Sequence, residues 1–179
     1  MSIKMPSQEE YQSAQLPLEY KAQVDRYEQM IQSGDASSTL WYNLGVAHLG
    51  LQEWDKAGSS FMSAIELEPE MVQAHVNLGA AYYQLEDFEK AAESLKNALK
   101  IKDDFLPAMA NLGVSLMRLS KHQESIDIME KVIKLEPKHP VALGALTLCY
   151  KALGDEEKAR KLEQAAIDSG VSFKSPDSK

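Results

Sequence analysis

The residue types that perform chemistry in proteins are present in this chain, but they are dispersed. No two of the four histidines stand four residues apart on a shared helix face, and the single cysteine gives them no partner, so a metal site is not expected. No glycine-rich phosphate loop, Gly-x-Ser-x-Gly or His-Glu-x-x-His motif occurs. We therefore predict a protein that is not an enzyme and that uses no cofactor.

One polar residue does recur with a fixed spacing. Asn43, Asn77 and Asn111 each begin an Asn-Leu-Gly tripeptide, and successive copies lie 34 residues apart. An amide carries donors and an acceptor, so three amides in a row can hold the backbone of an extended ligand. The alternative is that the asparagine is only a residue of the repeat and has no task of its own. Both interpretations depend on the elements that position these side chains.

Apolar and small residues follow the same spacing. Leu44 shares its column with Leu78, Leu112 and Leu146, and Cys149 falls in a column of small residues, which predicts that its thiol is buried. Within each row of 34 residues, two stretches carry apolar residues at the spacing of one helix face. Each row is therefore predicted to be a pair of amphipathic helices. The recurring Gly45, Gly79 and Gly113 are expected to let the helices of a pair approach closely.

Short polar turns separate the predicted helices. Ser120 and Gln123 fit a capping box, in which the serine begins the following helix. Asp155, after Gly154, is expected to be the N-cap of the last helix.

Trp41, Gly45, Ala57, Phe61 and Pro69 stand at the spacings of the tetratricopeptide repeat, and the chain resembles that family from about residue 38 to 170. The resemblance implies an all-α fold, a right-handed superhelix of stacked antiparallel helix pairs, or α-solenoid. Glu163 stands where the first row has Phe61, which is typical of a terminal repeat whose outer face meets water. The predicted divisions are a flexible segment at 1–17, an N-terminal capping helix at 18–34, repeats at 38–71, 72–105, 106–139 and 140–170, and a C-terminal tail at 171–179.

The resemblance also implies that the first helices of the repeats line a concave groove. A helical wheel places a largely apolar set of residues on that face, and soluble monomers rarely leave such a strip uncovered. Arg118 and Lys151 at one end favour a ligand with acidic flanks. The predicted peptide-binding residues are Tyr42, Asn43, Val46, Val76, Asn77, Ala80, Tyr83, Asn111, Val114, Met117, Arg118, Leu148 and Lys151.

Some members of the family grip the C-termini of Hsp90- and Hsp70-type chaperones through Lys, Asn and Arg. Tyr42, Val46 and Pro107 occupy matching positions here, so the basic residues are missing and such tails are disfavoured. We predict instead a scaffold or adaptor that binds an apolar or amphipathic peptide or helical segment of a partner protein. The alternatives are a small chaperone for a secreted or assembling client and a structural module that self-associates as a homo-oligomer.

The charge and hydropathy of the chain limit the other classes of partner. The net charge of −8 disfavours nucleic acid, because the phosphates would be repelled by the average surface. No run of about 18 apolar residues occurs, so membrane insertion is not expected. The first residues lack the apolar stretch of a secretory signal, and a cytoplasmic location is expected.

Overall fold

The computed structural model describes residues 8–168 and 170, and for residues 8–15 it describes the backbone only. Within those residues the secondary structure is entirely helical. The chain divides into two compact units, Met1–Leu85 with α1 to α4 and Glu86–Lys179 with α5 to α9. The helices are α1 Gln8–Gln32, α2 Ser38–Gly50, α3 Trp54–Leu67, α4 Val72–Gln84, α5 Phe88–Ile101, α6 Leu106–Arg118, α7 His122–Leu135, α8 Pro140–Ala152 and α9 Glu156–Asp168.

In the first unit, each helix packs against the next one along the chain. Val24 of α1 is buried with Leu44 and Ala47 of α2, and Trp41 packs against the same cluster. A Cβ added at Gly50 would lie 2.5 Å from the ring of Tyr20, so glycine at this position lets α1 approach α2 closely. The apolar face of α2 is therefore covered by α1.

The start of α1 differs from the predicted one. The helix begins at Gln8 rather than near residue 18, and it contains Pro17. Residues 8–17, predicted to be flexible, are helical in the structure, and the helix continues through Pro17 although its ring removes one backbone donor and crowds the carbonyl four residues earlier. The predicted flexible residues 1–7 and the predicted tail at 171–179 lie outside the described residues.

Glycines bring α2 close to α3 and α6 close to α7. A Cβ at Gly45 would lie 2.6 Å from the ring of Phe61, and one at Gly113 would lie 2.6 Å from Cε of Met129. At both positions the prediction of close approach is confirmed. Ser125 adds a buried hydrogen bond, donating from Oγ to the carbonyl oxygen of Gly113 at 2.7 Å.

The second unit is organised around one core shared by α6, α7 and α8. Met109, Met129 and Leu146 lie in its buried cluster, and Leu162 of α9 packs against it. Cys149 belongs to the same cluster and is fully buried, as predicted. Burial raises the pKa of its thiol, although a hydrogen bond with Ser125 opposes that shift.

The turns after α2, α4, α6 and α8 share one backbone conformation. Gln52, Glu86, Ser120 and Gly154 lie at equivalent repeat positions, and their φ values are 60°, 61°, 59° and 79°. The predicted capping box at Ser120 is wrong: this residue ends α6 in the left-handed conformation, and α7 begins at His122. The predicted N-cap is confirmed, since Asp155 Oδ1 accepts from the backbone N–H of Lys158 at 3.1 Å.

Candidate peptide-binding surface

In the first unit, the predicted binding residues come from two helices in contact, α2 and α4. Tyr42, Asn43 and Val46 of α2 are partly buried, and so are Asn77, Ala80 and Tyr83 of α4. Val76 is only 7% exposed, so it offers almost no surface to a ligand. The structure thus brings polar and apolar side chains from both helices into one half-buried surface.

Tyr42 is the residue that links the two helices. Its ring centroid lies 5.7 Å from that of Phe61, with the ring planes tilted by 51°. Its hydroxyl oxygen accepts a hydrogen bond from Nδ2 of Asn77 at 3.1 Å. The amide of Asn77 therefore has a fixed partner within the protein. Its second N–H and its carbonyl oxygen remain as groups that a peptide backbone can use.

Part of the face that the helical wheel assigned to an open groove is packed. Tyr42, Val46 and Leu49 lie against a buried cluster that contains Phe61 and Leu78. In a stack, a first helix has one neighbour before it and another after it, so two of its faces are buried. The helical wheel predicted only one of these two buried faces. The residues that lie between the two faces contribute half-exposed surface.

In the second unit, the predicted residues lie on α6 and α8, which are also in contact. Asn111 is exposed, whereas Val114 and Met117 are partly buried against the core of the unit. Leu148 is 38% exposed, a large apolar side chain open to solvent. This surface offers one amide and several apolar groups.

The two basic residues predicted to favour acidic flanks both have partners. The guanidinium carbon of Arg118 lies 4.3 Å from the ring centroid of Phe88, in a cation–π contact. Lys151 Nζ lies 2.6 Å from Glu163 Oε1. A ligand carboxylate would have to compete with both contacts.

Three of the four histidines are used in separate local contacts, whereas Nδ1 of His122 is buried without a hydrogen-bond partner. His48 Nδ1 lies 2.7 Å from Glu53 Oε2, and His75 Nε2 lies 2.9 Å from the carbonyl oxygen of Pro69. His139 Nδ1 accepts from the backbone N–H of Ala142 at 3.3 Å and so caps α8. Across residues 8–168 and 170, no group of three or more His, Cys, Asp or Glu side chains is placed to hold a metal ion.

In the same part of the chain, none of the helices combines the length and apolar character needed to cross a bilayer.

The repeat spacing and the helix pairs are matched by a known family. Residues 38–71 and 106–139 match one description of the tetratricopeptide repeat, and residues 72–105 match another. The chain belongs to the tetratricopeptide repeat family. No curated protein sequence matches it at a significant level.

Solved structures with similar folds cover most of the chain. A crystal structure of MamA has a TM-score of 0.82 and 17% identity, and the alignment covers 93% of this chain and 96% of that one. YrrB, described as a TPR protein with an unusual peptide-binding site, has a TM-score of 0.76 and 21% identity, with 84% and 77% covered. The first TPR of Spaghetti (RPAP3), bound to the HSP90 peptide SRMEEVD, has a TM-score of 0.64 and 21% identity, with 68% and 99% covered. These likenesses confirm the predicted all-α tetratricopeptide solenoid fold.

Proposed function

We propose that this tetratricopeptide repeat protein is a non-catalytic interaction scaffold or adaptor. It binds a peptide or helical segment of a partner protein on the surfaces of its first helices. The observation that carries the proposal is the pairing of Tyr42 with Asn77, which holds an amide at a half-buried surface. Two fold neighbours, YrrB and the Spaghetti (RPAP3) domain, are described with peptide sites. They support peptide binding as the function class, and at 21% identity they do not transfer a particular peptide.

The hydrogen bond to Tyr42 gives the asparagine column a structural role in the first unit. In a loose amide, both the oxygen and the nitrogen would have to be ordered when a ligand binds, and that ordering costs free energy. Here the orientation of Asn77 is set before a ligand arrives. The amide then presents its carbonyl oxygen and second N–H in a fixed direction, which suits backbone recognition better than side-chain recognition.

The surface of α6 and α8 contributes mainly apolar area. Asn111 is exposed, and Val114, Met117 and Leu148 lie on the same face of these helices. Apolar anchors contribute about 1.5–3 kcal/mol each when fully buried, and a net hydrogen bond contributes about 1 kcal/mol. After ordering costs, a few such contacts give affinity in the micromolar range. This range suits an adaptor that exchanges its partners.

Chaperone C-termini are not the proposed ligand. The positions that would need basic residues hold Tyr42, Val46 and Pro107, and Tyr42 is occupied by its contacts with Phe61 and Asn77. An apolar or amphipathic segment fits the composition of both surfaces better.

Site-specific photocrosslinking tests the proposal. A photoreactive amino acid placed at Tyr83 should trap a partner from the native cell, whereas the same group at Glu93 on α5 should not. The trapped segment is then made as a synthetic peptide and titrated. We expect N77A to weaken its binding about fivefold, the equivalent of one net hydrogen bond. N97A, which removes an asparagine of α5 outside the column, is the matched control. Equal affinity for N77A and wild type would remove the amide from the mechanism.

Light scattering and the crosslinked partner together separate the scaffold from the two alternatives that the sequence left open. A dimer that persists on dilution and blocks crosslinking at Tyr83 would favour a self-associating module. A trapped partner that is held only before it folds or assembles would favour a chaperone. We also propose that residues 140–170, with α8 and α9, act as the terminal repeat.

A further inference from the structure

A second apolar surface lies in the unit Glu86–Lys179, on a side of α8 that the proposed function does not use. There α7, α8 and α9 line a cleft of about 450 Å³, within the range of sites that take small ligands or single large side chains. Ile133, Leu146 and Leu162 supply apolar lining, and Lys134, Lys158 and Lys161 supply ammonium groups. Each of the three helices thus contributes to one pocket with an apolar interior and several cations.

The side chain of Tyr150 is held in this cleft by two contacts. Its hydroxyl donates to Glu130 Oε1 at 2.9 Å, and Lys158 Nζ lies 4.8 Å from its ring centroid. Burial of the phenol, together with the hydrogen bond and negative charge of Glu130, raises the pKa of Tyr150 to about 12. Glu130 is the one carboxylate in the lining, and it is committed to this tyrosine. The ring of Tyr150 therefore forms one aromatic side of the cleft and is held in a fixed position.

The lysines are available to an incoming anion. Lys158 pairs with Asp155 at 3.2 Å and Lys161 with Glu157 at 2.6 Å, and the two lysine side chains are 59% and 73% exposed. Ion pairs with that exposure contribute roughly 0–1 kcal/mol, so a ligand carboxylate can replace either partner at little cost. In a chain with net charge −8, a cleft lined by three lysines and one glutamate is a local exception.

One lysine of the cleft is specific to the last repeat. The residues equivalent to Lys161 in the earlier repeats are Asp127, Glu93 and Ser59, so only α9 carries a cation at this position. Lys158 and Lys134 stand at positions that other repeats also fill with lysine, since Lys90 is equivalent to the first and Lys100 to the second. In the third repeat, whose second helix is α7, the residues equivalent to Lys158 and Lys161 are both acidic, Glu124 and Asp127.

We propose that this cleft is a second docking site, whose ligand is an acidic peptide segment carrying one large apolar side chain. The apolar side chain lies against Leu146, Leu162 and the ring of Tyr150, and flanking Asp or Glu carboxylates pair with the lysines. Charge complementarity selects the occupant, because ligand carboxylates can exchange with the exposed partners of Lys158 and Lys161 and pair with Lys134, whereas an apolar segment without carboxylates gains nothing from these lysines. The site extends the scaffold function, since a protein with two separate docking surfaces can hold two segments at once.

Selection from a random peptide library tests this site on the full chain. Peptides are selected on the wild-type protein and titrated against K158E/K161D, which installs the residues found one repeat earlier. The matched control is K96E/K100E, which makes the same change in net charge on α5. We expect selected peptides with Asp or Glu beside an aromatic or branched residue, and binding at least about tenfold weaker to K158E/K161D. Binding to K96E/K100E and N77A should be unchanged.

Several outcomes would overturn the proposal. One is a set of selected peptides without acidic residues. A second is the absence of any peptide that binds wild type more tightly than K158E/K161D. Another is binding that N77A abolishes, which would assign the peptides to the first-helix surface and leave the proposed function intact. Displacement of every peptide by dodecanoate at low concentration would identify a small amphiphile as the occupant, and loss of self-association in K158E/K161D would identify a second copy of the chain. Circular dichroism checks the fold of each variant, and K134E on α7 repeats the test without disturbing an ion pair of α9.

Discussion

At the scale of single residues, two glycines of the first repeat differ in the space that surrounds them. Gly45 and Gly58 both lie in helices of the same pair, yet their surroundings are opposite. A Cβ at Gly45 would lie 2.6 Å from Cε1 of Phe61, whereas one at Gly58 would have Leu78 Cδ1 as its nearest neighbour, at 3.7 Å. The first position has no room for a methyl group, and the second has ordinary van der Waals space.

We expect Gly45→Ala and Gly58→Ala to change stability in opposite directions. G45A should lower the free energy of unfolding by about 1–3 kcal/mol, because the Phe61 ring must move within a packed core. G58A should raise it by up to about 1 kcal/mol, because alanine is the better helix former. Urea unfolding followed by circular dichroism measures both. Equal destabilisation by the two variants would contradict the role of Gly45 in close packing.

The contacts of Glu53 with Lys56 and His48 make part of the stability of the first unit depend on pH. Hydrogen bonds from Lys56 and then from His48 lower the pKa of Glu53 below that of an ordinary glutamate. A carboxyl whose pKa is lower in the folded state stabilises the fold above its unfolded pKa, and that contribution is lost as the pH falls through the folded pKa. We expect E53Q to be less stable than wild type at pH near 7.

The pH dependence of this difference is the diagnostic measurement. The stability gap between wild type and E53Q should shrink as the pH falls below the pKa of an ordinary glutamate and then through the lower pKa of Glu53 in the fold. E66Q, an exposed substitution near the other end of α3, is the control for a change of charge alone. A gap that stays constant from neutral to acidic pH would show that the Glu53 contacts do not contribute through its ionisation.

At the scale of helices and turns, most of the fold could be predicted from the spacing of apolar residues. The spacing predicts the helix pairs because one face of each helix must be buried. The capping box at Ser120 failed because serine satisfies the same sequence pattern whether it begins a helix or ends one. The pairing of Tyr42 with Asn77 was also missed, since a helical wheel describes one helix at a time and this hydrogen bond joins α2 to α4.

The shared turn conformation gives a test at this scale. Ser120, with φ 59°, and Gly154, with φ 79°, occupy equivalent positions, and only glycine adopts this region without steric cost. We expect S120G to raise the free energy of unfolding by about 0.5–1 kcal/mol and G154A to lower it by a similar amount. Thermal unfolding of the two variants beside wild type measures both effects. Destabilisation by S120G would mean that the serine side chain supplies a contact that outweighs the backbone strain.

At the scale of the whole molecule, an ion pair distinguishes the proposed terminal repeat from the first repeat. In the first repeat, Leu49 and Phe61 meet in an apolar cluster that α4 covers with Leu78. Three repeat lengths later, the equivalent residues are Lys151 and Glu163, whose charged atoms lie 2.6 Å apart. An apolar contact that needs a covering helix has thus been replaced by a polar contact that water can solvate, which is typical of a terminal repeat.

The last prediction follows from reversing that replacement. K151L/E163F restores the residues of the first repeat where no further repeat of the described chain follows. The new apolar area would join Leu148 and Ile167, already 38% and 68% exposed, into a patch that favours burial against another molecule. We expect concentration-dependent self-association of the variant in light scattering. K90L/E93F, with the same replacements on α5, should associate less. If both variants associate equally, added hydrophobicity alone is the cause. The Lys151–Glu163 pair would then not be what keeps the last described helix pair from associating.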